Sequence, residues 1–229
     1  VTTATGKPTL VDEVHEAIYQ ALIDGQIEPG SKLKLSEIAG RFGVSAAVVR
    51  EALSRLTEQG LVQSNPQRGF IVTALSVNDL LDLTRTRVLI ETLALRESIR
   101  HGDLTWEGRV LAANHTLDRT PMLNGEHPNH AWVQAHRAFH HAILDGAGVK
   151  RLSRVARELR DCSELYQFWS YTRGRDPDRD IATEHREITE RTLARDEDGA
   201  AAALTQHIQR TTTLLVTYLN RADDDHVRP

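Results

Sequence analysis

The stretch "LSEIAGRFGVSAAVVREALSRLTEQG", residues 35–60, constrains this chain more than any other. Two short amphipathic segments meet there at a single glycine. From about Ser36 to Phe42, the residues Ile38, Ala39 and Phe42 share one side; after the glycine, Val48, Val49, Ala52, Leu53 and Leu56 share another. Both sets follow the helical period of about 100° per residue. Gly43 supplies the positive φ that a sharp turn needs, and Ser45 is a good N-cap for the second helix. Ala39 is small enough to let two helices cross closely, while the turn sets their angle. The expectation is a helix-turn-helix.

The flanks extend that reading. Val11 to Asp24 is predicted as a helix with Val14, Ile18, Leu22 and Ile23 inward, ended by the Pro-Gly turn of "IEPGSKL". Beyond Gly60, "LVQS" and "FIVTAL" flank "NPQRG", a hairpin with Arg68-Gly69 at its tip. A purely structural three-helix subdomain is one reading and a winged helix-turn-helix the other; the wing directly after the second helix favours the latter. Charge agrees. Residues 1–30 carry Lys7 against Asp12, Glu13, Glu16, Asp24 and Glu28. Residues 31–70 carry Lys32, Lys34, Arg41, Arg50, Arg55 and Arg68 against Glu37, Glu51 and Glu58. A locally basic segment in a chain of net charge −4 suggests a directed anion-binding face.

The run "IEPGSKLKLSEIAGRFGVSAAVVREALSRLTEQGLVQSNPQRGFIV" resembles the DNA-binding domain of the GntR family of bacterial transcription regulators, most specifically between Val49 and Phe70. The resemblance implies that the helix from Ser45 enters the major groove of an operator. Its DNA-facing set would be Ser36, Ser45, Ala46, Ala47 and Arg50, with Gln67, Arg68 and Gly69 at a wing tip reaching the minor groove. Ala46 and Ala47 stand where the family commonly has Arg and Thr. An Arg can read guanine through two hydrogen bonds, whereas Ala can only touch a thymine methyl.

From Ser76 the pattern is helical: "SVNDLLDLTRTRVLIETLALRESIRHG", then about 104–118, a helix ending near Asp145, about 150–171, 179–195 and 198–221. Six helices with short connections predict an antiparallel bundle. The fold class is therefore mostly α. Residues 1–74 would form a winged helix-turn-helix domain, 75–221 an all-α bundle, and 222–229 a disordered tail. No apolar run is long enough to span a bilayer and the start lacks a signal-peptide pattern, so no membrane is expected. The one cysteine, Cys162, leaves no intrachain disulfide, reads as core filler, and fits a cytoplasmic protein.

Histidines stand out in the bundle. In "VQAHRAFHHAIL", His136 and His140 lie within the apolar arc of Trp132, Phe139 and Ile143, whereas His141 points away to solvent. His185 shares a face with Ile181 and Ile188, and His207 lies among Leu204, Ile208 and Leu214. Asp196, in the turn "DEDG", is midway between His185 and His207, so an antiparallel hairpin sets them level. A lone inward histidine reads as a hydrogen-bonded core residue. Four on three helices read as a cage for a divalent transition metal, with zinc or nickel the leading choices.

Residues 77–221 resemble the FCD ligand-binding domain of the FadR-type branch of that family, in its six-helix, VanR-like version. The resemblance implies a divalent metal in the bundle, and Phe139-His140, His185 and His207 match its motif. His136 stands where the family usually has Asp, and Val149 where it usually has Asn. "RTRVLIE" resembles its Arg-x-x-Leu-Glu segment, which makes Arg87 a candidate anchor for a carboxylate effector. The alternative for Arg87 is a surface ion pair with Glu91. Tyr166, Phe168 and Trp169 would line either a cavity or a dimer face.

The expected function is a dimeric, metabolite-responsive transcription regulator, a repressor on a palindromic double-stranded DNA operator, tuned by a small carboxylate beside the metal. Two rivals are a sensor for which metal is itself the signal, and a histidine-ligated metalloenzyme. The enzyme would need a general base at the metal. Glu184 and Glu187 read as solvent-facing, and no GxSxG, HExxH or phosphate loop occurs.

Overall fold

The computed structural model describes residues 8–65, 69–125, 127–146, 148–164, 166–167 and 179–226. It divides into two compact units, Val1–Leu75 and Ser76–Pro229.

In the first unit, α1 (Leu10–Ile23) opens on a capping box: Thr9 Oγ1 accepts from the Asp12 backbone, and the Asp12 carboxylate accepts from Thr9 N at 2.8 Å. Its inward face buries Val14, Ile18 and Leu22 against α3 (Ala46–Glu58), which contributes Val49, Ala52, Leu53 and Leu56. Between them in sequence lies α2 (Leu35–Phe42), which packs on α3; its Ile38, Ala39 and Phe42 are the expected inner side, half-buried while Ser36, Glu37, Gly40 and Arg41 are exposed, and none of its residues is fully buried. A two-turn helix packed on one neighbour cannot enclose its own stripe. Gly43 ends α2 in the left-handed region, φ 64°, and Ser45 Oγ caps α3 by accepting from Val48 N.

The wing is a hairpin of β2 (Val62–Asn65) and β3 (Gly69–Val72), antiparallel, with Asn65 opposite Gly69. A third strand, β1 (Lys32–Leu33), pairs with the far edge of β3. Two residues after a turn carry no alternation, so sequence pattern missed it.

The second unit is a helical bundle of α4 (Val77–His101), α5 (Leu104–Arg119), α6 (His130–Leu144), α7 (Lys150–Cys162), α8 (Ile181–Leu193) and α9 (Glu197–His226). Helix α9 packs along α4 and α8, α5 along α6, and α4 along α7. Side-chain caps by Ser76, Asp103, Asn129 and Asp180 fix four of the helix starts. The Pro- and Gly-bearing loop after α5 holds a small hairpin, β4 (Leu123–Asn124) with β5 (His127–Pro128), turned by Gly125 at φ 64°.

Four sequence expectations need revision here. Helix α7 is interrupted at Ser163, with helical residues again at Glu164, Tyr166 and Gln167 and residues 168–171 outside the described ones, and Cys162 is half-buried rather than in the core. Helix α9 runs to His226, into the segment expected as a disordered tail. Tyr166 is on no exposed face: it is buried, and its hydroxyl donates to Asp79 Oδ2 at 2.7 Å in the first turn of α4. Phe168 and Trp169 lie outside the described residues.

Candidate nucleic-acid interface and metal centre

In the winged unit, the residues expected to face DNA on α2 and at the start of α3 lie at the surface. Ser36 in the first turn of α2, and Ser45, Ala46, Ala47 and Arg50 at the start of α3, are all exposed. Burial of Val49, Ala52 and Leu53 on the opposite side of α3 turns this face outward. Gly69 takes φ 79° at the foot of β3; Gln67 and Arg68 lie outside the described residues.

In the bundle, α6, α8 and α9 bring His136, His140, His185 and His207 together. All four are buried, and one nitrogen of each lies within 4.8 Å of the others. The His185 and His207 rings face each other with centroids 4.8 Å apart, as the hairpin through Asp196 requires. His136 and His140, one turn apart on α6, set their Nε2 atoms 3.1 Å from each other. The His136 ring also stacks on Trp132 at 4.6 Å.

The surroundings carry three arginines, each with a carboxylate neighbour. Arg160, on α7 and buried, approaches His136 Nδ1 with Nη2 at 3.0 Å. Arg87 is buried too, with Nε 2.6 Å from Glu91 Oε1. The pair is therefore internal rather than on the surface; α9 and α7 cover the α4 face that sequence left open. Arg179, just before α8, grips Glu184 at 2.9 and 2.6 Å. Glu184 in turn accepts from His207 Nδ1 at 2.8 Å, so it is half-buried and not solvent-facing as expected. Glu187 is exposed. His141 is likewise not simply wet: its Nε2 sits 2.8 Å from Asp161 Oδ1.

Burial is the first cause that holds all four imidazoles neutral. His136 and His140 fall well below 6.5, helped by the charge of Arg160; His185 falls well below it too. His207 falls to about 4, although Glu184 pulls it upward. Neutral imidazole is the form that ligates metal. His185 Nε2 is moreover buried with no hydrogen-bond partner, a costly state that ligation in this cluster would offset. The residues thus fit a nitrogen-accepting divalent ion.

A cavity of about 210 Å³ opens onto His185, lined also by Trp132, Leu117, Met122, Ile181 and Arg179. Its walls are mostly apolar, with one guanidinium and two carboxylates, Asp118 and Asp180, the chemistry of a small-molecule site.

Sequence reasoning found the four histidines but missed Arg160, Glu184 and Arg179. For Arg160 a signal existed: it continues the inward stripe of Ser153 and Ala156, where an arginine must be buried. Glu184 sits a helical step of 100° from His185, and Arg179 precedes the helix; neither has a periodic signal.

Residues 10–72 match the family described as "Bacterial regulatory proteins, gntR family", and residues 82–210 match the FCD domain. The chain is 34% identical over 204 residues to the uncharacterized HTH-type transcriptional regulator BphR of Paraburkholderia xenovorans, covering 88% of this chain and 83% of that protein. It is 31% identical to the HTH-type transcriptional repressor GlaR of Escherichia coli, covering 82% and 87%. The solved structure titled "E. coli McbR/YncC" superposes with a TM-score of 0.70 at 19% identity, covering 92% of this chain and 99% of that one, a likeness of fold.

Proposed function

Because this chain belongs to the GntR family of bacterial regulatory proteins, in the group that carries an FCD domain, we propose that it is a metabolite-responsive repressor. The family and the relatives above are transcriptional regulators, not enzymes. In this reading a homodimer binds a palindromic operator through α3 and the wing. A small carboxylate entering the bundle then releases it.

One observation carries the effector half: four buried neutral imidazoles ringed by the guanidinium groups of Arg87, Arg160 and Arg179, with a cavity at His185. Glu91, Glu164 and Glu184 stand beside those guanidinium groups, so the net positive charge that would favour an anionic effector is that of an ion in the histidine cluster. A divalent ion of the zinc or nickel kind supplies, when bound to the histidine cluster, a Lewis-acidic point for a carboxylate oxygen. Arg179 is at the cavity wall, whereas Arg87 would steer a carboxylate only by its field, since Glu91 occupies its Nε and Nη2.

For the dimer, α4 exposes Leu81, Leu89 and Leu93 along one line of its surface. An apolar stripe of this kind on a bundle helix suits a second copy of the same helix. Among Ala46, Ala47 and Arg50 on α3, Arg50 is the side chain able to read a base edge through paired hydrogen bonds, because Ala46 and Ala47 offer only methyl contact. No helix among the described residues is long and apolar enough to cross a membrane.

Fluorescence anisotropy on DNA from the gene's own upstream region, at several salt concentrations, tests the reading. Arg50→Ala should weaken binding by about 1–3 kcal/mol. One of a panel of mono-, di- and tricarboxylates should reverse the wild-type complex, and operator DNA must weaken that carboxylate reciprocally. Release by added Zn²⁺ alone would make metal the signal. Failure to bind any sequence selected from random DNA would sink the reading.

A further inference from the structure

We propose that the four histidines are not equivalent: His140, His185 and His207 hold the ion, while His136 is kept from ligating and donates its Nε2–H to an oxygen ligand on that ion. This deepens the metal reading above and rests on it.

The argument starts from Arg160. Its Nη2 lies 3.0 Å from His136 Nδ1. A guanidinium has only donors and does not lose its charge in a protein, so His136 Nδ1 must present its lone pair. A doubly protonated ring would set N–H against N–H across that contact. The single proton of the neutral ring is therefore on Nε2, the nitrogen turned towards His140 Nε2 at 3.1 Å. Flipping the ring within its stack on Trp132 would aim Cδ2–H at the guanidinium instead, which relieves nothing. Arg160 itself is held in place: it is buried on α7, with Glu164 Oε1 at 3.8 Å from its Nη1.

His207 is backed by the opposite chemistry. Arg179 Nη2 lies 3.5 Å from His207 Nδ1 but makes its short bond, 2.6 Å, to Glu184; that carboxylate accepts and does not donate, so its contact at 2.8 Å draws the His207 proton to Nδ1 and leaves the Nε2 lone pair available. That carboxylate–histidine arrangement is the one that orients histidines towards metal. His140 accepts from His136 through Nε2, and His185 keeps a buried Nε2 without a partner. Three rings can thus offer a lone pair to an ion, and one offers a hydrogen.

Once the His140 lone pair goes to an ion, the His136 N–H loses its acceptor. A buried donor without a partner is costly. A carboxylate oxygen held by the ion restores the bond, more strongly than a neutral acceptor would. His136 thereby selects for an anionic oxygen ligand, a role an acceptor-only carboxylate at this position could not play.

The test uses the full-length chain stripped with chelator, with Zn²⁺ and Co²⁺ as probes and acetate as the simplest carboxylate. His140→Gln, His185→Gln and His207→Gln should each weaken Zn²⁺ binding by about a hundredfold or more, and His136→Gln by less than about tenfold. The visible spectrum of the Co²⁺ form should survive His136→Gln. Acetate should bind the Co²⁺ form of His136→Ala about tenfold more weakly than wild type. Arg160→Met should free His136 to ligate and shift the Co²⁺ spectrum. A long-range ¹H–¹⁵N spectrum of the histidine-labelled, metal-free wild type reads the tautomer with no substitution at all. Should His136 carry its proton on Nδ1 there, or should His136→Gln lose metal as deeply as His140→Gln, the division of roles is overturned while the metal reading stands. If wild type takes up neither ion, both fall.

Discussion

His207 Nδ1 donates to Glu184 Oε2 at 2.8 Å, and Arg179 holds the same carboxylate from the other side at 2.6 and 2.9 Å. One half-buried carboxylate therefore joins the cavity wall to the histidine cluster. Its hydrogen bonds to His207 and Arg179 outweigh the burial that opposes them and hold Glu184 at about 2, so it stays charged at any physiological pH.

Glu184→Ala removes the group that orients His207. Loss of such an outer partner costs roughly 10–100-fold in metal affinity. Zn²⁺ competition against a chromophoric chelator should show that loss, and the thermal midpoint should fall as well, because Arg179, with a side chain 4% exposed, loses its carboxylate. Glu184→Gln, whose amide oxygen can still accept from Nδ1–H, should recover part of it.

The buried imidazoles make the metal-free protein sensitive to acid. An unfolded histidine titrates near 6.5, whereas folded His207 titrates at about 4 because burial opposes its charge. Above 6.5 both states are neutral and the full stability is present. As pH falls from 6.5 to 4 the unfolded chain takes up the proton first, so His207 alone removes about 1.4 kcal/mol per pH unit. His136, His140 and His185 act in the same direction. Glu184, lowered from 4.5 to about 2, adds to the loss only below about 4.5. Urea midpoints at pH 7.5, 6 and 5 should fall steadily; a flat profile over that range refutes the assignment.

Arg87 and Glu91 form an ion pair with side chains 5% and 0% exposed. Removing one partner strands a buried charge, at a cost of about 3–5 kcal/mol. Arg87→Ala and Glu91→Ala should each lower stability by that order in chemical denaturation. Arg87→Met with Glu91→Leu should recover most of it, because two apolar side chains of similar size leave no charge unpaired.

Gly146 lies against the indole of Trp106, whose Nε1 donates to Ala142 O at 2.8 Å. A Cβ at Gly146 would come within 2.5 Å of the ring. Gly146→Ala must displace this fully buried tryptophan, and overpacking of this kind costs typically 1–3 kcal/mol. Thermal melting with the intrinsic fluorescence as probe should register both the loss and the altered Trp106 environment. Gly148→Ala is the control, since nothing lies within 4 Å of its added carbon.

Local pattern carried much of this protein. Helical period placed Val49, Ala52, Leu53 and Leu56 on the inner face of α3, and one glycine with a serine cap marked the turn before it. Period together with turn position also placed the histidines, because residues equidistant from a hairpin turn must sit level, as His185 and His207 do. The two-residue strand β1 and the hairpin β4–β5 escaped, since elements that short have no period and exist only through their partners.

Which face a side chain occupies, and at what height, is set by the chain's own geometry, and so the sequence by itself determined the winged head, the bundle and the histidine cluster. What stands behind each histidine was decided only when separate helices packed. Arg160 reaches His136 from α7, Glu184 reaches His207 from α8, and Arg87 is buried by the helices packed over α4. Those contacts depend on the rotation of one helix against another and on the rotamers that fill the space between them. No periodicity along a single helix encodes either, yet these contacts decide which imidazoles offer a lone pair and which offers a hydrogen.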